Sequence, residues 1–306
     1  MGKQEKPQRD LRRPKPLVVP PRKEHTHTAI LLHDKGDKGR VFGRDFLIST
    51  GLQDHFPTLR CVFPCAFNAP AFVSSEKSAH QNGDTKRRTT PPSQWFDDPS
   101  HMRQSEVTTA SLPETARFLQ RVINDEAKVL MTAGKHGMHE AHKRLFVGGS
   151  GHGGAVALLY LLGSHRQLGG FIGLDAMLPW QFQLEIALEV GTSGDGDSGV
   201  VRGVNYVREL LGFERLEGNK GGCVEALQHL RTPVFFGYRE SREKGRVVAS
   251  LLADAFRVHI TEKWCASRGT EYYSQPENLE ALVEFLEEIC VPGRYRASHG
   301  NIESKE

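Results

Sequence analysis

No long apolar run, no cysteine-pair motif and no dominant charge of one sign occurs in this 306-residue chain. The longest unbroken apolar run is Ala155–Leu162, far short of the ~18 residues a bilayer span needs. The polar, charged N-terminus has none of the apolar stretch of a secretory signal. Met1-Gly2 begins like a myristoylation site, but Lys6 stands where Ser or Thr is wanted. The five cysteines (Cys61, Cys65, Cys223, Cys265, Cys290) are odd in number and include no Cys-x-x-Cys. That argues against a disulfide framework or a zinc site and for a reducing compartment, the cytoplasm. With 38% hydrophobic residues and 31 glycines, the chain is neither fibrous nor mostly disordered.

The net charge of +3 is unevenly spread: residues 1–24 hold eight basic side chains against three acidic ones. The remainder is near neutral, so no nucleic-acid footprint is expected on the folded body. The expected layout is a basic, Pro-rich disordered tail over 1–27, a domain over 28–290 and a polar C-terminal tail over 291–306. The basic tail is suited only to weak contact with anionic surfaces.

Between residues 28 and 290, strand-like and helix-like segments alternate. Thr28–Leu32, Arg60–Phe63, Leu145–Val147, Gly170–Leu174 and Pro233–Gly237 are short apolar runs, and Val258–Trp264 is extended. Ser111-Leu112-Pro113-Glu114 is a capping box. It opens a helix with apolar residues at Leu112, Ala116, Leu119, Val122, Ile123, Ala127 and Leu130. Ser274-Gln275-Pro276-Glu277 opens the last helix in the same way. The alternation predicts an α/β fold, a doubly wound and mostly parallel sheet with helices on both faces. Two polar stretches, about 74–92 and 191–222, are expected to be loop insertions.

Leu145–Val147 runs into Gly148-Gly149-Ser150-Gly151-His152-Gly153-Gly154 and then into a small-residue helix. This strand, tight turn and helix is the setting of a nucleophile elbow. Around it stand Leu32-His33-Asp34-Lys35-Gly36-Asp37 (like LHGxGD), Val62-Phe63-Pro64 and Gln94-Trp95-Phe96-Asp97. Gly148–Ala155 (like GGxSQGGA) and Leu178-Pro179-Trp180 (like LPF) follow. Thr232–Gly237 (like TPVFLGHG) and Tyr272–Glu277 (like WYxxPxE) complete the series. In this order and spacing the chain resembles the phospholipase/carboxylesterase family, and within it the acyl-protein thioesterase-like proteins of fungal type. The resemblance implies an α/β-hydrolase fold and descent from enzymes that cleave acyl esters and thioesters with a Ser–His–Asp triad.

On that alignment the nucleophile position is Gly151, the acid position is Arg242 and the base position is Glu271. All three roles are lost in this reading. A charge-assisted contact between Arg242 and Glu271, or between Arg242 and Glu243, is expected to tie the two loops together. A rescue set, Ser150 as nucleophile with His152 as base and Asp175 as acid, is the active-enzyme alternative. A one-residue slip on an elbow aims Ser150 away from the pocket. The resemblance places the oxyanion-hole donors on the backbone N–H groups of Lys35 and His152, where an acyl carbonyl or carboxylate is expected to sit. It also makes His33 a structural loop residue and lets Trp95 and Phe96 line an acyl pocket; core packing explains that aromatic pair equally well. No cofactor motif is read. His136, His139 and His142 sit in a polar connector without a ligand set, so no metal is expected. Three functions remain open: a catalytically silent homologue that binds an acyl- or lipid-like ligand or a protein partner, an active serine esterase or thioesterase, or a non-enzymatic scaffold or regulatory binding protein.

Overall fold

The computed structural model describes residues 13–66, 93–96, 111–134, 136–189, 198–216, 227–238, 242–264 and 276–290. Seven strands form one sheet: β1 (Leu17–Val19), β2 (His27–Leu32), β3 (Leu59–Phe63), β4 (Leu145–Ser150), β5 (Gly170–Leu174), β6 (Val234–Tyr238) and β7 (Ile260–Trp264). Their order is β1-β3-β2-β4-β5-β6-β7. Among the described strands only β1 runs antiparallel, pairing Leu17 with Phe63 and Val19 with Cys61. The middle strands β4, β5 and β6 are buried at every position, as a sheet covered on both faces requires.

One face carries α3 (Ser111–Gly134), α5 (Gly151–Gly163), α7 (Gly199–Leu210) and α8 (Arg242–Phe256). The other carries α1 (Gly39–Thr50) and α9 (Pro276–Cys290), which close Phe42, Phe46, Phe285 and Leu286 over Phe63, Ile172 and Phe235. Short helices α2 (Leu52–His55), α4 (Met138–His142) and α6 (Gln181–Glu189) fill the connections. Helix α5 is buried all round from Gly153 to Gly163, because α3 and α7 cover the flanks that the sheet leaves open. Among the described residues no helix is long and apolar enough to cross a membrane.

Two expected boundaries need correction. The fold begins before residue 28, because β1 lies inside the expected 1–27 tail and closes an edge of the sheet. Just upstream, the Arg13 Nη2 donates to Thr115 Oγ1 at 3.1 Å, and its guanidinium lies 3.8 Å over the Phe118 ring. Burial draws the Arg13 pKa down to about 9, which still leaves it ionised at neutral pH. The second correction concerns 191–222, which is not simply a loop. Its α7 places Val201, Val204 and Val207 in the core, and Ser198 Oγ caps the helix by accepting from Val201 N at 3.4 Å. The 74–92 insertion and the 291–306 tail lie outside the described residues.

Candidate functional site

The C-terminal end of β4 turns sharply into α5 at Gly151. Its φ of +47° is the left-handed conformation that a side chain adopts only under strain. The close approach continues two residues on: a Cβ at Gly153 would stand 2.4 Å from His33 O. The sequence therefore folds into an elbow here because it supplies glycine at the apex and glycine where the helix crosses β2.

The loop after β2 meets this apex. Asp34 Oδ1 accepts from the backbone N–H of Lys35 and from the backbone N–H of His152, both at 2.7 Å. These are the two donors expected to form the oxyanion hole. They converge on one oxygen, and that oxygen belongs to the protein itself. A Cβ built on Gly151 would lie 2.3 Å from Asp34 Oδ1, 2.4 Å from Cγ and 2.5 Å from Oδ2. The carboxylate thus fills the space that a side chain at the apex would use. It also caps α5, placing negative charge at the helix N-terminus, where the backbone dipoles favour it.

His33 is fully buried and holds this loop: Nδ1 donates to Asp34 O at 2.7 Å and Nε2 accepts from Ala66 N at 3.0 Å. Burial lowers its pKa, so it works as a neutral brace. The His152 ring stacks flat on Phe96, with centroids 3.9 Å apart and 12° between planes, and its Nδ1 accepts from Trp95 N at 3.4 Å. Trp95 is 1% exposed and donates Nε1–H to His33 O at 2.8 Å. A cavity of about 460 Å³ opens above the elbow. It is lined by Asp34, Lys35, Phe96, Gly151, His152 and Asp175, with Ala155 and Met177–Pro179 supplying apolar wall. This size is usual for a small-molecule site.

The expected site residues separate on this geometry. Gly151, Lys35, His152 and Asp175 meet at the cavity. Trp95, expected to line a ligand pocket, packs behind the wall that Phe96 forms, and this corrects that expectation. Ser150 is 6% exposed, ends β4 and is not part of the lining; no hydrogen bond joins its hydroxyl to His152. Asp175 holds a left-handed backbone at φ +51° and donates its N–H to Gly237 O at 2.7 Å. Tyr238, at the end of β6, has its pKa raised by burial first and then by Glu262 and Asp175. Arg242 opens α8, but its side chain, like Glu243 and Glu271, lies outside what is described. The expected contact between them therefore has no geometry here.

Asp34 is the residue at the elbow that sequence reasoning missed. The signal was present: it stands where the LHGxGD pattern has its glycine.

His142 also differs from the solvated connector expected of it. It is buried and its Nδ1 donates to Met138 O at 2.7 Å. Among the described residues no group of three His, Cys, Asp or Glu is placed to hold a metal.

Comparison with known proteins agrees with the fold. The Phospholipase/Carboxylesterase family model matches residues 13–192. Acyl-protein thioesterase 1 of Cryptococcus neoformans var. neoformans serotype D is 24% identical over 165 residues, which is 54% of this chain and 60% of the relative. The chain thus matches less than two thirds of that relative's length. Among solved structures, Zea mays acyl-protein thioesterase 2 superposes with a TM-score of 0.51 at 17% identity, covering 90% of this chain and 99% of the other. Arabidopsis thaliana SOBER1 gives a TM-score of 0.52 at 14% identity, covering 87% of this chain and all of the other. At such identities the likeness is one of fold.

Proposed function

Because the chain belongs to the phospholipase/carboxylesterase family, we propose that it is a non-hydrolytic member that retains the pocket and binds an acyl-chain or lipid-like ligand without cutting it. The carrying observation is the Asp34 carboxylate seated against the bare apex at Gly151, on both oxyanion donors. A serine hydrolase needs an oxygen nucleophile at the apex and an empty hole for the developing oxyanion. Here the apex has no side chain and the hole holds an anion already. Loss of a triad member alone removes about 10⁴- to 10⁶-fold in rate. Phe96, Met177 and Leu178 are suited to an apolar chain. A ligand carboxylate would have to displace Asp34, so a neutral head group suits this cavity better than an acid.

The cytoplasm is the proposed location. Among the described cysteines, Cys61, Cys65 and Cys290 are free thiols, as a reducing compartment allows.

The test is fluorophosphonate labelling together with p-nitrophenyl ester turnover, on the parent and on Ser150→Ala. Neither protein should label or turn over substrate. Labelling of the parent that disappears in Ser150→Ala would establish an active esterase and end this reading. Thermal-shift measurements with fatty alcohols, monoacylglycerols and fatty acids then test binding, with stabilisation by the neutral ligands expected.

A further inference from the structure

The opposite pole of the sheet carries a second concavity, of about 570 Å³. Its lining residues stand just ahead of the strands: Lys143 before β4, Gly169 before β5, Pro233 before β6 and His259 before β7. Strand β4 runs from this pole to the elbow, so the two cavities are at its two ends.

The rim is basic. Lys143, Arg231 and Arg257 all line it, together with the amide-bearing Gln167, and among the described residues no acidic side chain does. None of these three cations makes an ion pair with the described residues. This is unlike Arg60, Arg144 and Arg215, each of which has a carboxylate partner. Leu168 and Ile289 add an apolar floor.

Arg257 adds an independent observation. It follows the last residue of α8 with φ +56°, a left-handed position that glycine or asparagine takes more easily. Val258 N reaches back to Leu252 O at 3.1 Å, closing the helix end around it. An arginine at a strained helix terminus on the rim of a cationic pocket points to a role for its side chain.

We propose that this concavity binds a phosphate monoester through Lys143, Arg231 and Arg257, with the organic part of the ligand resting on Leu168 and Ile289. Guanidinium groups match phosphate oxygens in paired hydrogen bonds, and three cations without a carboxylate partner among the described residues favour a dianion over a monoanion. A volume of about 570 Å³ is that of a small-molecule site and suits a small head group. The ester is either a soluble phosphorylated metabolite or a phosphorylated lipid head group. This inference is independent of whether the elbow is catalytically silent.

The test is calorimetric titration of the 306-residue chain at low salt with phenyl phosphate, phenyl sulfate as the monoanionic control. Phenyl phosphate is expected to bind at least about tenfold more tightly than phenyl sulfate. Its affinity is expected to fall at least about tenfold in Arg231→Gln/Arg257→Gln and to weaken as salt rises. Lys143→Gln gives a second, milder variant, and Arg40→Gln on α1 is expected to bind like the parent. Melting curves check that each variant is folded.

Sedimentation with phosphatidylcholine vesicles carrying phosphatidylinositol 4-phosphate separates the two sources. Retention that phenyl phosphate competes away assigns a lipid head group; titration without retention assigns a soluble phosphoester. The proposal is overturned if phenyl phosphate does not bind or if the double variant binds as the parent does. It is also overturned if vesicle retention ignores both competitor and substitutions.

Discussion

Restoring a nucleophile at the elbow is expected to fail while Asp34 remains. In Gly151→Ser the new residue must hold φ near +47°, a strain of about 1–2 kcal/mol for a residue with a Cβ. That Cβ would stand 2.3–2.5 Å from three atoms of the Asp34 side chain, so the carboxylate must swing away. It then gives up the hydrogen bonds from His152 N and Lys35 N. Because Asp34 is exposed, water replaces part of them, and the loss resembles removal of an N-cap, about 0.5–2 kcal/mol. Gly151→Ser is therefore expected to cost about 1.5–4 kcal/mol, a large share of a stability of about 5–15 kcal/mol. Asp34→Gly alone costs only the cap. In the double variant Asp34→Gly/Gly151→Ser the cap is lost once, not twice. A double-mutant cycle by urea denaturation should thus return about 0.5–2 kcal/mol of favourable coupling. Additive free energies, or a Gly151→Ser protein as stable as the parent, would refute the account of Asp34 as the filler of this space. With Arg242→Asp and Glu271→His added, the double variant is also the background in which fluorophosphonate labelling should first emerge.

The remaining predictions concern stability and reactivity. Burial, then Arg144, His25 and His136, hold the His27 pKa down at about 4, while the unfolded chain takes up this proton near pH 6.5. The folded state therefore loses up to about 3 kcal/mol as pH falls from about 6.5 to 4, and His27→Gln should flatten that stretch of the stability–pH curve measured by denaturant titration. Glu126 accepts from Arg60 Nε at 2.8 Å across β3 and α3, with side chains only 21% and 11% exposed. Glu126→Ala should cost about 2 kcal/mol in urea denaturation. Asp54→Ala, breaking the Arg22–Asp54 pair at 57% and 65% exposure, should cost under about 0.5 kcal/mol in the same assay. Burial pushes the thiols of Cys61 and Cys290 up to about 12, so iodoacetamide at neutral pH should leave both unmodified in the native protein, as peptide mapping would read.

What the chain disclosed about itself depended on how local the cause was. Strands β2 to β6 were legible because a strand covered on both faces must be a short, nearly continuous apolar run, as in Thr28–Leu32 and Gly170–Leu174. Strand β1 was not legible: three residues between Pro16 and Pro20 carry no alternation to recognise. Helix α7 was hidden by the Gly/Ser/Asp run ahead of it, although Val201, Val204, Val207 and Leu211 keep helical spacing. At the site, Gly151 and the two backbone donors could be placed from the motif alone. The role of Asp34 could not. Its departure from the pattern is visible, but what it fills lies 117 residues further along the chain, and only the fold brings the two together. Trp95 and Phe96 are adjacent in sequence and similar in chemistry; which of them faces the cavity is decided by the turn they sit in.

The ladder at the centre of the sheet bears on how the polypeptide assembles during synthesis. Strand β2 is made early, yet its neighbours are β3 on one side and, on the other, β4, which begins at Leu145 after all of α3. Until the ribosome has released the second of these, β2 and β3 form an apolar ribbon with one naked edge, open to pairing with other nascent chains. Long-range closures of this kind are slow. Each later strand leaves its own edge open only until the next arrives, so chaperone dependence should be greatest for nascent chains that end between β3 and β4, the longest such wait.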